Sequence, residues 1–141
     1  IGAVIAGPRA AGILQPGNHG TTFGGNPLAM RAGIETLAIM EEDGLLQHAS
    51  EIGAYLMDKL RAAFANNAGM IEVRGQGLML GIALEKPCGV LVGRALEAGL
   101  LINVTRDRVV RMLPPLLINK SEADEIVKIL VPLIQAFNAE Q

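Results

Sequence analysis

The sequence predicts an α/β protein. Three observations carry that reading. Apolar strand-like runs alternate with helical periods from residue 70 onward, two helix-period stretches precede them, and a short apolar run opens the chain. Residues 70–141 read as a small α+β unit, residues 43–69 as a connecting helix, and residues 1–42 as the tail of something larger.

Each element has a local cause. Ile1-Gly2-Ala3-Val4-Ile5-Ala6 reads as a short buried strand. Residues 7–25 are rich in Gly, Pro and Thr and keep no period, so they predict an ordered loop. Asn26-Pro27 predicts a helix start, because Asn caps free N–H groups and Pro fits the first helical position. Met30, Ile34, Leu37 and Met40 then recur at helical spacing. The next helix keeps Leu45, Ala49, Ile52, Leu56, Leu60 and Phe64 on one face. It runs to about residue 67, roughly 24 residues or about 36 Å. Asn66-Asn67-Ala68-Gly69 ends it.

Two strands follow, Ile71–Val73 and Leu78–Leu84, around the turn Arg74-Gly75-Gln76-Gly77. Pro87 to Ala98 predicts a helix closed by Gly99. Leu100–Val104 and Val109–Leu113 predict two more strands, joined by the polar turn Thr105-Arg106-Asp107-Arg108 and stopped by Pro114-Pro115. Ser121 with Asp124 resembles a capping box for the last helix. Ile126, Ile129, Leu133 and Phe137 are its expected buried stripe, and Pro132 is expected to kink it.

Composition removes several function classes. A length of 141 residues corresponds to about one domain. Half the residues are hydrophobic and 18% are charged, which excludes disorder. A net charge of −2 with no Lys/Arg run, one Tyr, three Phe and no Trp argue against nucleic-acid binding. One Cys forms no internal disulfide, and with two His it builds no typical zinc site. No apolar run reaches the ~20 residues that span a bilayer. No basic leader precedes the apolar start, so a cytoplasmic setting is expected.

Two motifs point to chemistry. In His19-Gly20-Thr21-Thr22-Phe23-Gly24-Gly25-Asn26-Pro27, glycines let backbone approach a ligand, and two hydroxyls stand before a helix start. That combination suits an anion such as a phosphate; a tight loop followed by a cap is the simpler alternative. In Val109-Val110-Arg111-Met112-Leu113, a guanidinium lies inside an apolar run. Arg grips a carboxylate at two points. The alternatives are a structural ion pair or strand alternation that turns Arg111 to solvent. Arg74-Gly75-Gln76-Gly77 reads as a turn, and His19 as structural. Cys88 at a helix start is a place for a lowered thiol pKa. Asp107 and Glu41-Glu42-Asp43 read as solvated turns.

The segment His19 to Ala29 resembles a signature of the class III (ornithine-type) aminotransferases. Arg74-Gly75-Gln76-Gly77-Leu78-Met79-Leu80-Gly81, Leu101-Ile102-Asn103-Val104 and Val110-Arg111-Met112-Leu113-Pro114-Pro115-Leu116 resemble later segments of that family. The resemblance covers essentially the whole chain. It implies a fold-type I enzyme with pyridoxal phosphate as cofactor, and a homodimer with active sites at the subunit interface. By matching position, Thr22 would hydrogen-bond the cofactor phosphate in the partner subunit's site. Thr21 would line the substrate pocket, and Arg111 would bind the α-carboxylate of the amino-acid substrate.

The implied activity is amino transfer between N-acetylornithine and 2-oxoglutarate. Ornithine, succinylornithine and 4-aminobutyrate stand as alternative donors. The family's Schiff-base lysine and its pyridine-pairing Asp are expected upstream of Ile1; Lys59, Lys86, Lys120 and Lys128 match no catalytic position. The chain is therefore expected to be the C-terminal portion of the enzyme, ending the large domain and forming the small one, and to be inactive alone. The rival reading is a non-enzymatic module that binds a small ligand or partner.

Overall fold

The computed structural model describes residues 2–65 and 69–140. They form two compact units, Ile1–Asp43 and Gly44–Gln141, each described by itself.

The first unit is a loop followed by α1 (Pro27–Glu42). Asn26 caps α1 as expected, accepting a hydrogen bond from the Ala29 N–H at 2.9 Å, with Pro27 at the first helical position. The expected opening strand is not formed: residues 2–6 are exposed and carry no ladder, and Ile1 lies outside the described residues. A strand needs a partner for its N–H and C=O groups, and the unit holds no other strand among the described residues. The expected stripe of α1 is also uncovered, with Ile34 60% and Leu37 64% exposed. No residue of α1 is buried.

The second unit is a four-stranded antiparallel sheet with three helices. The strands are β1 (Met70–Gln76), β2 (Met79–Leu84), β3 (Asn103–Thr105) and β4 (Val109–Met112), in the order β1-β2-β4-β3. The helices are α2 (Leu45–Phe64), α3 (Val90–Glu97) and α4 (Lys120–Ala139). Alternation along the strands sends Val73, Leu80, Ile82, Leu84, Val110 and Met112 to one face, where all are buried. There they join Ile52, Leu56, Leu60 and Phe64 of α2 and Leu130, Ile134 and Phe137 of α4 in one core. The stripe expected for α2 is buried at Leu45, Ile52, Leu56, Leu60 and Phe64, with Ala49 half-buried and Gly53 added to it. Burial of such side chains contributes about 1.5–3 kcal/mol each.

Several boundaries differ from expectation. Helix α2 has 20 residues and stops at Phe64, while Asn66-Asn67-Ala68 lies outside the described residues. Arg74, Gly75 and Gln76 belong to β1 rather than to a turn. The hairpin instead turns at Gly77-Leu78, between the paired Gln76 and Met79, with Gly77 at φ +53°. Strand β3 is confined to Asn103–Thr105, since β4 offers partners only there. The cap of α4 is Asn119 with Glu122, not Ser121 with Asp124. The Asn119 side chain accepts from the Glu122 N–H at 3.0 Å, and the Glu122 carboxylate accepts from the Asn119 N–H at 2.9 Å. The deep stripe of α4 is Ala123, Leu130, Ile134 and Phe137; Ile126, Ile129 and Leu133 are only half-buried. The helix continues through Pro132, whose missing N–H leaves the carbonyl of the exposed Lys128 without its helical partner.

Candidate functional site

The glycine-rich loop of the first unit builds one candidate site. Its residues His19, Gly20, Thr21, Phe23, Gly24, Gly25 and Asn26 line a hollow of ≈ 710 Å³ with Ala29 and Met30. Thr21 Oγ1 stands against Gly24, where a Cβ would fall 2.5 Å from that oxygen, so only glycine leaves the hydroxyl its place. Asn26 fixes the turn from both sides: its Nδ2 donates to the Phe23 carbonyl at 2.8 Å while its Oδ1 caps α1. The N-terminal end of a helix carries about +0.5 charge. Thr21 therefore lines a hollow that ends at a positive helix terminus. Thr22 sits beside it, exposed, and is not among the lining residues.

Arg111 belongs to the second unit, on β4 between the buried Val110 and Met112. Alternation turns its side chain to the face opposite the core, where it is exposed. Among the described residues no hydrogen bond or ion pair holds it, and its exposure is the alternative in which strand alternation turns Arg111 to solvent. The register places it in one row across the sheet: Arg74 on β1, Gly81 on β2, Arg111 on β4 and Asn103 on β3. Of the two arginines in that row, Arg74 is engaged by Glu72 at 2.5 Å. The row and its open guanidinium follow from pairing, so residue spacing alone did not reveal Asn103 or Gly81 as neighbours of Arg111.

Other expected features resolve as structure. Cys88 is buried, and burial pushes its thiol pKa up, so the expected lowering at the helix start does not occur. The unit also carries a polar cluster that the sequence did not reveal. Tyr55 Oη donates to Asp124 Oδ1 at 2.7 Å, and Lys59 Nζ approaches the same oxygen at 3.1 Å. The tyrosine hydroxyl and then the ammonium hold the Asp124 carboxyl below its ordinary range. These groups tie α2 to α4. No group of three or more His, Cys, Asp or Glu side chains that could hold a metal exists among the described residues. No helix among them is long and apolar enough to cross a membrane.

Acetylornithine aminotransferase 1 of Bordetella pertussis is 59% identical over all 141 residues, which make up 36% of that protein. The acetylornithine aminotransferase of Nitrosomonas europaea is 44% identical over 97% of this chain and 35% of its own length. The chain thus spans about a third of the length of the curated relatives it matches. Among solved structures, ornithine δ-aminotransferase of Plasmodium falciparum superposes with a TM-score of 0.82 at 32% identity, over 92% of this chain and 34% of that one. Acetylornithine aminotransferase from Elizabethkingia anophelis superposes at 0.76 with 29% identity, over 89% and 34%. The fold is that of the corresponding part of these enzymes. The family model described as aminotransferase class-III matches residues 1–134, and the chain belongs to that family.

Proposed function

We propose that this chain is the C-terminal part of a pyridoxal-phosphate-dependent aminotransferase that moves an amino group between N-acetylornithine and 2-oxoglutarate, in arginine biosynthesis. Arg111 carries the reading. An exposed guanidinium without a partner among the described residues, flanked by a glycine, suits the two-point grip of a substrate carboxylate. The curated relatives at 59% and 44% identity are acetylornithine aminotransferases, which supports the acetylated donor.

The residues present suit the phosphate end of the cofactor. Thr21 and Thr22 offer hydroxyls, and the capped start of α1 offers positive potential. Thr22 is proposed to donate to the phosphate in the partner subunit's site, and Thr21 to line the substrate pocket. The cofactor, when bound, supplies the aldehyde that takes up the amino group. None of the four lysines suits that aldehyde. All lie in the second unit: Lys59 pairs with Asp124, Lys86 lies over the Phe137 ring, Lys120 lies over the Tyr55 ring, and Lys128 is exposed on α4. The 141-residue segment alone is therefore proposed to be inactive. Residues 1–42 are assigned to the end of the large cofactor-binding domain and 70–141 to the small domain, with the connecting helix of 43–69 packed into the small domain's core. A cytoplasmic homodimer is the proposed setting, and a single buried Cys accords with a reducing compartment.

The test is a donor comparison on the full-length enzyme with 2-oxoglutarate as acceptor. The expected result is the highest kcat/KM for N-acetylornithine. A higher kcat/KM for ornithine or 4-aminobutyrate overturns the substrate assignment.

A further inference from the structure

The glycine-rich loop closes on one side chain. Asn26 Nδ2 donates to the Phe23 carbonyl at 2.8 Å, and Asn26 Oδ1 accepts from the Ala29 N–H at 2.9 Å. The two bonds tie Phe23, the residue after Thr22, to the first turn of α1. Between them the chain turns back through Gly24 and Gly25, the latter at φ +75°, where a side chain would be strained. A Cβ at Gly24 would fall 2.5 Å from Thr21 Oγ1, so the turn packs directly against a threonine hydroxyl. Thr21 and Asn26 line the same hollow.

Capping alone does not call for asparagine. Asp caps a helix as well as Asn does, and its charge is favoured at a helix N-terminus. Asn differs in two respects: its amide nitrogen donates, and it is neutral. The donor is used here, on the Phe23 carbonyl. The neutrality matters to an anion in the hollow, because a carboxylate on its wall would repel it.

We infer that Asn26 is a positioning residue for the cofactor phosphate: its amide holds the loop in the form that sets the Thr21 and Thr22 hydroxyls beside the start of α1, and it puts no negative charge there. The inference rests on the phosphate role proposed for Thr22. A loop held in its binding form beforehand loses less freedom when the ligand arrives.

Cofactor binding to the full-length enzyme tests this. Equilibrium dialysis reads the dissociation constant of pyridoxal phosphate, and the thermal midpoint of the cofactor-free protein is read beside it. Asn26→Ser keeps a capping oxygen and loses the donor; it is expected to raise the dissociation constant about threefold, within the scale of one neutral hydrogen bond. Asn26→Asp keeps the cap, loses the donor and adds a charge; it is expected to raise the constant about tenfold or more. The midpoint is expected to stay nearly unchanged in both, because both keep the cap. A residue that only caps α1 predicts the opposite order, since Asp serves a helix start at least as well as Ser. Binding to Asn26→Asp that is no weaker than to Asn26→Ser overturns the inference. If Thr22→Val weakens the cofactor while Asn26→Asp does not, the role of Asn26 fails and the phosphate reading stands. If Thr22→Val leaves the constant unchanged, the phosphate reading fails and the inference falls with it.

Discussion

Gly53 on α2 approaches the turn glycine Gly77 so closely that a Cβ on Gly53 would fall 2.1 Å from the Gly77 carbonyl oxygen. Helix and hairpin touch backbone to backbone at this point. The contact seats the β1–β2 hairpin on α2, and β2 in turn pairs with β4 and positions Arg111.

Gly53→Ala is accordingly expected to destabilise the enzyme. Alanine favours a helix by about 0.8–1.0 kcal/mol over glycine. Overpacking costs typically 1–3 kcal/mol and occasionally more, and here the obstacle is backbone rather than a movable side chain. The clash is expected to win, giving a lower thermal midpoint for the full-length protein. An unchanged or raised midpoint would show that α2 shifts away without loss.

Thr22→Val in the full-length enzyme is expected to weaken pyridoxal phosphate by about tenfold, the scale of one hydrogen bond to a charged group. Thr22→Ser should retain affinity, because it keeps the hydroxyl. Equilibrium dialysis of the cofactor checks both, and equal dissociation constants for valine and threonine refute the phosphate role.

The end of α4 is held by an acid-sensitive contact. Arg94 donates to both carboxylate oxygens of Glu140, at 2.6 and 3.0 Å, and this hydrogen-bonded guanidinium holds the Glu140 carboxyl below its ordinary range. A lowered folded-state pKa contributes stability above the unfolded value of about 4.3, and that contribution disappears as pH falls through the folded value. Hydrogen exchange at the last turn of α4 should therefore accelerate as pH falls below about 4.3, beyond the intrinsic trend. Glu140→Gln should exchange faster near neutrality and lose that extra acid response. An identical pH profile in the variant would count against the contact.

Asn119→Ala removes the side-chain half of the capping box at the start of α4. The expected loss is about 1 kcal/mol, within the usual range for such caps. Ser121→Ala should change stability by less, because Ser121 lies inside the helix. Chemical denaturation of the two variants distinguishes these positions, and a larger effect at Ser121 would contradict the observed cap.

Much of this protein follows from residue order. The Asn26-Pro27 helix start, the buried face of α2 and the strand runs of β2 and β4 arise from capping chemistry and from periods of 3.6 and 2, which act between near neighbours. The loop from His19 to Asn26 is likewise local, since Gly24 and Asn26 shape it with bonds three residues apart. What residue order left open depends on partners distant in the chain. Residues 2–6 are apolar enough for a strand yet have none to pair with in their unit. The α4 cap moved from Ser121 to Asn119, although both positions offer a capping oxygen. Only strand pairing decides that Arg111 stands between Gly81 and Asn103 on the open face, because register is set by contacts separated by many residues and a one-residue slip would turn the guanidinium into the core.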